Sequence, residues 1–226
     1  MSDLTLLVIA KEPLPGRVKT RLAADVGAQA AADLAAVCLA QTLDAVVATP
    51  ARRRVLVLDG SPGPWVPAGV EVVAQGGGGL GDRLAAAFAG VDGPAFLVGM
   101  DTPQITPALL SVDLRPGGAV LGLAEDGGFW GIGMYDPDPT VFDGVPMSTA
   151  RTGAAQLDRL TQAGLTVTAL PRLTDVDTIA DARRVALACP GSRFASALAR
   201  IDHHPTALKR LRRRLAHRPA TAPGGA

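Results

Sequence analysis

Phe96-Leu97-Val98-Gly99-Met100-Asp101-Thr102-Pro103 is an apolar run that stops at a single carboxylate, and it constrains the fold more than any other stretch of the chain. A short continuous apolar run reads as a strand buried on both faces, which requires helices on both sides of a largely parallel sheet. In such sheets ligands collect at the carboxyl ends of the strands, where Asp101 falls. Gly99 lets a ligand approach the backbone, and Pro103 ends the strand. Asp101 is as well suited to begin a turn or cap a helix from about Ile105, so its role depends on what the other strands deliver beside it.

The other strands are legible by the same criterion. Leu4–Ala10, Val55–Leu58, Val70–Val73, Ala119–Leu123 and Leu165–Leu170 are short aliphatic runs, and Phe129–Met134 is a strand studded with glycine. Between them the chain is helical in composition. Gln29–Ala48 is rich in Ala and Leu, Leu80–Ala89 follows a glycine-rich loop, and a helix capped by Ser148 or Thr149 is predicted to run to about Ala163. A last helix is predicted from about Ile179, with Asp177 suited to its cap. This alternation is that of one α/β domain over residues 1–190, followed by a helical, basic extension over 191–226.

Three loops carry candidate chemistry. After the first strand, Lys11, Arg17, Lys19 and Arg21 fall within eleven residues whose shape is fixed by Pro13, Pro15 and Gly16. Two of the chain's three lysines lie here, and compact ammonium charges beside arginine forks suit a polyphosphate. The run Gln75-Gly76-Gly77-Gly78-Gly79-Leu80-Gly81 can wrap a ribose or base, and can equally be a flexible linker. Glu125-Asp126-Gly127-Gly128-Phe129-Trp130 reads both as a hairpin turn and as the wall of an acceptor pocket, with Arg151 placed to meet a substrate anion. Asp175 and Asp177, at i and i+2 in an extended segment, point the same way and can converge with Asp101 on one cation.

Composition removes several alternatives. Six of the 22 basic residues lie in 205–226 with no acid beside them, so the rest of the chain carries a net charge of −5 and has no general field for nucleic acid. His203, His204 and His217 are the only histidines, which argues against a Ser-His-Asp site or a histidine-bound zinc in the body of the chain. Cys38 and Cys189 have neither disulfide-framework nor CxxC spacing and fit a reducing cytoplasm. No signal peptide is read at the start, and no apolar run is judged long enough to span a membrane.

Taken together, Lys11-x-Pro13-x-x-Gly16-x-x-Lys19-Thr20-Arg21-Leu22, Gly99-x-Asp101-x-Pro103, Glu125-Asp126-Gly127-Gly128 and Asp175-Val176-Asp177-Thr178 resemble the bacterial glycosyltransferase-like proteins of the nucleotide-diphospho-sugar transferase superfamily, the arsenosugar-associated group. The resemblance runs from about residue 4 to 190. It implies a GT-A-like three-layer α/β sandwich with a mostly parallel mixed sheet. It further implies a nucleotide grip formed by Lys11, Gly16, Lys19 and Arg21 with Gly79 and Gly81. Asp101, Asp175 and Asp177 would hold Mg²⁺ or Mn²⁺, and Glu125, Asp126, Gly127, Trp130 and Arg151 would line an acceptor pocket. Asp101, Lys19 and Asp126 would then be the catalytic groups. Met147 stands where Trp is expected before Ser-Thr, and Gly79 where an acid is usual.

The implied reaction is transfer of a sugar from a nucleotide-diphosphate donor to a small-molecule acceptor. The guanylyltransferases of deazaflavin cofactor synthesis share the Lys-Thr-Arg-Leu and Asp-Val-Asp-Thr patterns, so coupling of an NTP to a phosphorylated small molecule with loss of pyrophosphate is the alternative. A non-catalytic nucleotide-binding protein on the same fold is the third.

Overall fold

The computed structural model describes residues 3–203. The elements follow in the order β1 (Thr5–Lys11), α1 (Thr20–Val26), α2 (Ala28–Ala48), β2 (Arg53–Asp59), β3 (Glu71–Ala74), α3 (Leu80–Ala89), β4 (Ala95–Gly99), α4 (Pro107–Leu110), β5 (Gly118–Ala124), β6 (Phe129–Met134), a 3₁₀ turn (Pro139–Phe142), α5 (Thr152–Gln162), β7 (Thr166–Leu173), α6 (Ile179–Ala188) and α7 (Arg193–His203). The seven strands form one sheet in the order β3-β2-β1-β4-β6-β5-β7. β6 alone runs against its neighbours β4 and β5, and the other pairings are parallel. This is the mostly parallel mixed sheet of the α/β sandwich that the sequence implies.

Strand alternation explains the layers. In β1, Leu6, Val8 and Ala10 enter the core shared with α2, while Leu7 enters the core on the opposite face, with Leu84 and Phe88 of α3 and Val141 and Phe142 of the 3₁₀ turn. A third cluster joins Leu22 and Val26 of α1, Leu34 and Cys38 of α2, Val185 of α6, and Phe194 and Leu198 of α7. The part of the expected extension that is described, α7, is thus packed into the body through fully buried Phe194. The basic segment from Lys209 to Arg214 lies outside the described residues.

One expectation needs correction, and two features of the core were not foreseen. The helix α2 is long and apolar enough to cross a membrane, with 21 residues and a mean hydropathy of 1.5. Its apolar positions, Leu39, Leu43 and Val46 among them, are instead buried against the sheet. The glycines of β5 and β6 have a packing role. They make room for core rings: a Cβ at Gly122 would lie 2.3 Å from the Trp130 ring, and one at Gly131 would lie 2.9 Å from Phe96. Trp130 itself is 2% exposed, sits edge-on to Phe96 and donates its indole N–H to Pro171 O at 2.9 Å, so it anchors the core while also lining the cleft.

Candidate functional site

The sheet order reverses between β1 and β4, and the carboxyl ends of these two strands open into a cleft of about 670 Å³. An open α/β sheet binds ligands at such a switch point because the loops after the two strands diverge to opposite faces. The loop after β1 brings Lys11, Arg17, Lys19 and Arg21 to the cleft, β4 ends in Asp101, and the segment after β7 brings Asp175 and Asp177. Backbone pairing fixes the last two loops to each other, since Val176 N–H donates to Asp101 O at 3.0 Å.

Lys19 is the hub of this arrangement. Its ammonium lies 2.8 Å from Asp101 Oδ1 and 3.1 Å from Asp177 Oδ1, with only 5% of the side chain exposed. The two carboxylates are 40% and 41% exposed and face the cleft. Arg21 approaches Asp177 Oδ2 at 3.7 Å, and Thr102 Oγ1 donates to Asp175 Oδ1 at 3.1 Å. Lys19 adopts the left-handed conformation, with φ of 50°, at the entry to α1. A residue without a glycine's freedom is held there when its surroundings over-determine it, and here two carboxylates fix the ammonium.

Charge states follow from this geometry. Burial alone would lower the pKa of Lys19, but Asp101 and Asp177 outweigh it and hold the ammonium above the ordinary lysine range. One ammonium cannot compensate three carboxylates. Asp175, half-buried, is pushed up to about 7, first by burial and then by the charge of Asp101, against the pull of Lys19. The folded chain therefore holds this proton more tightly than the unfolded chain between about pH 4 and pH 7, and stability falls as pH rises through that window. Asp175→Asn keeps an acceptor for Thr102 and removes the charge. In metal-free buffer its gain in melting temperature is expected to grow from pH 5 to pH 8. A gain of equal size at both pH values would show that Asp175 does not titrate there.

Among the described residues, no three His, Cys, Asp or Glu side chains meet as a metal cage. The physical reason is that Lys19 stands where the sequence reading expects a cation between Asp101 and Asp177. The cleft still offers hard oxygen donors on the exposed sides of these carboxylates. That fits Mg²⁺ or Mn²⁺ held by one or two carboxylates and completed by phosphate oxygens, rather than enclosed by all three.

Other expected residues divide between the cleft and its scaffold. Asp126 lines the cleft, with Oδ1 fixed by Gly128 N–H at 2.8 Å. Glu125 is turned to Arg184 at 3.5 Å and does not line it. Arg151 is an exposed residue at the N-terminus of α5, in the cap position expected for Ser148 or Thr149, and does not line the cleft either. Ser148 and Thr149 do line it. The cap of α6 is Thr178, not Asp177, because Asp177 is engaged by Lys19. Gly16, in the loop after β1, and Gly79 and Gly81, at the start of α3, do not line the cleft: Gly79 N–H donates to Asp82 at 2.8 Å, and Gly81 packs on Met147. Gly127 is structural, since with φ of 90° a Cβ there would lie 2.1 Å from Ala150 O. Gly127→Ala should therefore destabilise by about 2 kcal/mol or more. Urea unfolding measures this, and an unchanged midpoint would refute the close fit of the turn against residues 149–153.

The sequence reading missed the residues that hold the phosphate side together. Gln75 donates to both Ala10 O and Val57 O, at 3.2 and 3.3 Å, and accepts from Arg83 at 3.1 Å, so one amide ties β1, β2 and α3. Gln41 of α2 donates to Pro103 O at 3.0 Å and accepts from Phe194 N–H, joining the Asp101 loop to α7. Gln75 carried one legible signal, its position directly after β3. Gln41 carried none, being one polar residue on an Ala-rich helix.

A family model described as "uncharacterized protein conserved in bacteria (DUF2064)" matches residues 22–149. Among solved structures, a protein of Desulfovibrio desulfuricans G20, provisionally assigned as a nucleotide-diphospho-sugar transferase, is 26% identical with a TM-score of 0.77, over 93% of this chain and 98% of that one. A homologue of the Mycobacterium tuberculosis Rv0371c protein from Mycobacterium sp. strain JC1 matches at 20% identity and a TM-score of 0.51, over 87% and 97% of the two chains. The inositol-1-phosphate CTP transferase of T. maritima matches at 14% identity and a TM-score of 0.50, over 89% and 97%. The last two likenesses are of fold alone. No curated protein matches the chain in sequence.

Proposed function

The chain belongs to the bacterial DUF2064 family, and from that premise we propose that it is a nucleotide-dependent transferase that moves a sugar from a nucleotide-diphosphate donor to a small acceptor. The observation that carries this reading is the grouping at one sheet edge of the cations Lys11, Arg17 and Arg21 with the Lys19-bridged carboxylates Asp101 and Asp177. The name and 26% identity of the Desulfovibrio protein support a sugar donor.

In this reading Lys11, Arg17 and Arg21 hold the diphosphate by charge, and arginine adds bidentate geometry. Lys19 binds no phosphate. It fixes Asp101 and Asp177 so that their exposed oxygens face the diphosphate. Mg²⁺ or Mn²⁺ held by these oxygens would supply neutralisation of the charge that develops on the departing nucleotide. Asp126, on the opposite wall with one oxygen held by Gly128, takes the proton of the acceptor hydroxyl.

The test is to incubate the protein separately with NDP-sugars and NTPs, each with Mg²⁺ or Mn²⁺ and a set of small acceptors, and to assay the products. Release of free NDP from a sugar donor is the expected result. Acceptor-dependent pyrophosphate from an NTP, without turnover of any sugar donor, would assign nucleotidyl transfer instead. Thermal stabilisation by nucleotide with no metal dependence and no product would assign a binding protein.

A further inference from the structure

We infer that the acceptor is an uncharged or cationic polyhydroxy compound, and not a phosphate ester or a carboxylic acid. This rests on the reading above of the other half of the cleft as the donor site. It follows from how charge is divided across the sheet edge. Every lysine or arginine lining the cleft comes from the end of β1 and the loop and helix α1 that follow it, or from α3, the helix that follows β3: Lys11, Arg17, Lys19, Arg21 and Arg83. In the order β3-β2-β1-β4-β6-β5-β7 both sources lie on one side of β4, which ends in Asp101, and the two cations that reach past it, Lys19 and Arg21, are paired with Asp177. The opposite wall is built by the β5–β6 turn and the segment before α5, through Asp126, Gly128, Phe129, Ser148, Thr149 and Ala150. No cation lines that half among the described residues.

Three arginines on the elements around this wall do not line the cleft. Arg184 pairs with Asp181 and Glu125, Arg172 donates to Ala124 O at 3.5 Å, and Arg151 lies outside the lining. The start of α5 offers no substitute for a cation. Arg151 N–H donates to Thr149 Oγ1, Thr152 N–H to Thr149 O, and Gly153 N–H to Gly127 O at 2.7 Å. A helix N-terminus binds an anion through unpaired N–H groups, and three of the four at this start are taken. A phosphate on this wall would face the carboxylate of Asp126, and the wall itself contributes no lysine or arginine to the lining.

What the wall presents suits hydroxyl and ammonium groups. Asp126 Oδ1 is fixed by the Gly128 N–H, so the carboxylate is oriented before a ligand arrives. Ser148 is exposed at the lip in the left-handed conformation, with φ of 58°. It belongs to a turn in which Thr152 Oγ1 donates to Pro146 O at 2.7 Å and accepts from Thr149 N–H at 3.0 Å. One carboxylate and two hydroxyls on a rigid turn make a surface that accepts and donates hydrogen bonds and carries negative charge.

The local charge can be read without turnover. In a Cys189→Ser background, which leaves only buried Cys38, Ala150→Cys on the acceptor wall and Thr20→Cys on the donor wall are each labelled with a cationic and an anionic methanethiosulfonate of equal size, in EDTA. The cationic reagent is expected to react about tenfold faster at Ala150→Cys, relative to free cysteine, with the order reversed at Thr20→Cys. Faster reaction of the anionic reagent at Ala150→Cys would overturn the inference. With a donor that turns over, glycerol and glucosamine should be used at least about tenfold better than glycerol 3-phosphate and glucosamine 6-phosphate, and Ala150→Lys should shift that ratio toward the phosphate esters. Preference for the phosphorylated member of each pair would also overturn it. If no donor turns over, the transferase reading falls, while the thiol ratio still decides the charge of this wall.

Discussion

Asp101→Asn is expected to lower metal-dependent release of NDP from a sugar donor by about 100-fold or more, with little change in melting temperature. The large effect on turnover follows from position, because the exposed oxygens of Asp101 face the cleft where the diphosphate is expected, and a carboxylate aimed at a cation there acts where charge develops. The small effect on stability follows from the surroundings. Asp101 O still accepts from Val176 N–H, Lys19 keeps Asp177, and Asp175 loses a neighbour that raises its pKa. Parallel kinetics and thermal melts check both halves. Full turnover by the Asn variant would remove Asp101 from the mechanism, and a collapse in melting temperature would mean that its main role is to hold the loop after β4.

The strands were legible because each is a short aliphatic run bounded by turn residues, and β4 in particular announced both its burial and the carboxylate at its end. Helices with strong composition were equally legible: α3 runs from Leu80 to Ala89 as the pattern predicts. The short helix α1 was hidden because Lys19-Thr20-Arg21 carries the charge density of a loop, and only the buried Leu22 and Val26 show that it packs. Trp130 was placed at the pocket from its motif, and its burial was not legible, because the space its ring and that of Phe96 occupy is left by glycines on neighbouring positions of β5 and β6. The gathering of Asp101, Asp175 and Asp177 at one edge could be expected from parallel strands. Which cation stands between two of them could not, since Lys19 and Asp177 are 158 residues apart and only the assembled fold brings them within 3.1 Å.

That ammonium carries the second large expectation. Lys19→Met should destabilise the metal-free protein by about 1–3 kcal/mol at pH 8, less than the 3–5 kcal/mol typical of breaking a buried pair, because water reaches the exposed sides of Asp101 and Asp177. The pH dependence gives the sign. With Lys19 present, its pKa is raised by folding, so the stabilisation is complete below the ordinary lysine value and is lost only as pH rises above it. Without it, three neighbouring carboxylates raise one another's pKa, the folded state takes up protons more readily, and the deficit shrinks as pH falls from 8 to 5. Urea unfolding at both pH values checks this, and a deficit independent of pH would show that Lys19 acts through packing and not as the counter-charge. Added Mg²⁺ should then stabilise the Met variant more than the unaltered protein, because a divalent cation can occupy the position the ammonium has left and binding to the folded state alone raises stability by mass action. Equal stabilisation of the two proteins would mean that Asp101 and Asp177 do not form a cation site once Lys19 is gone.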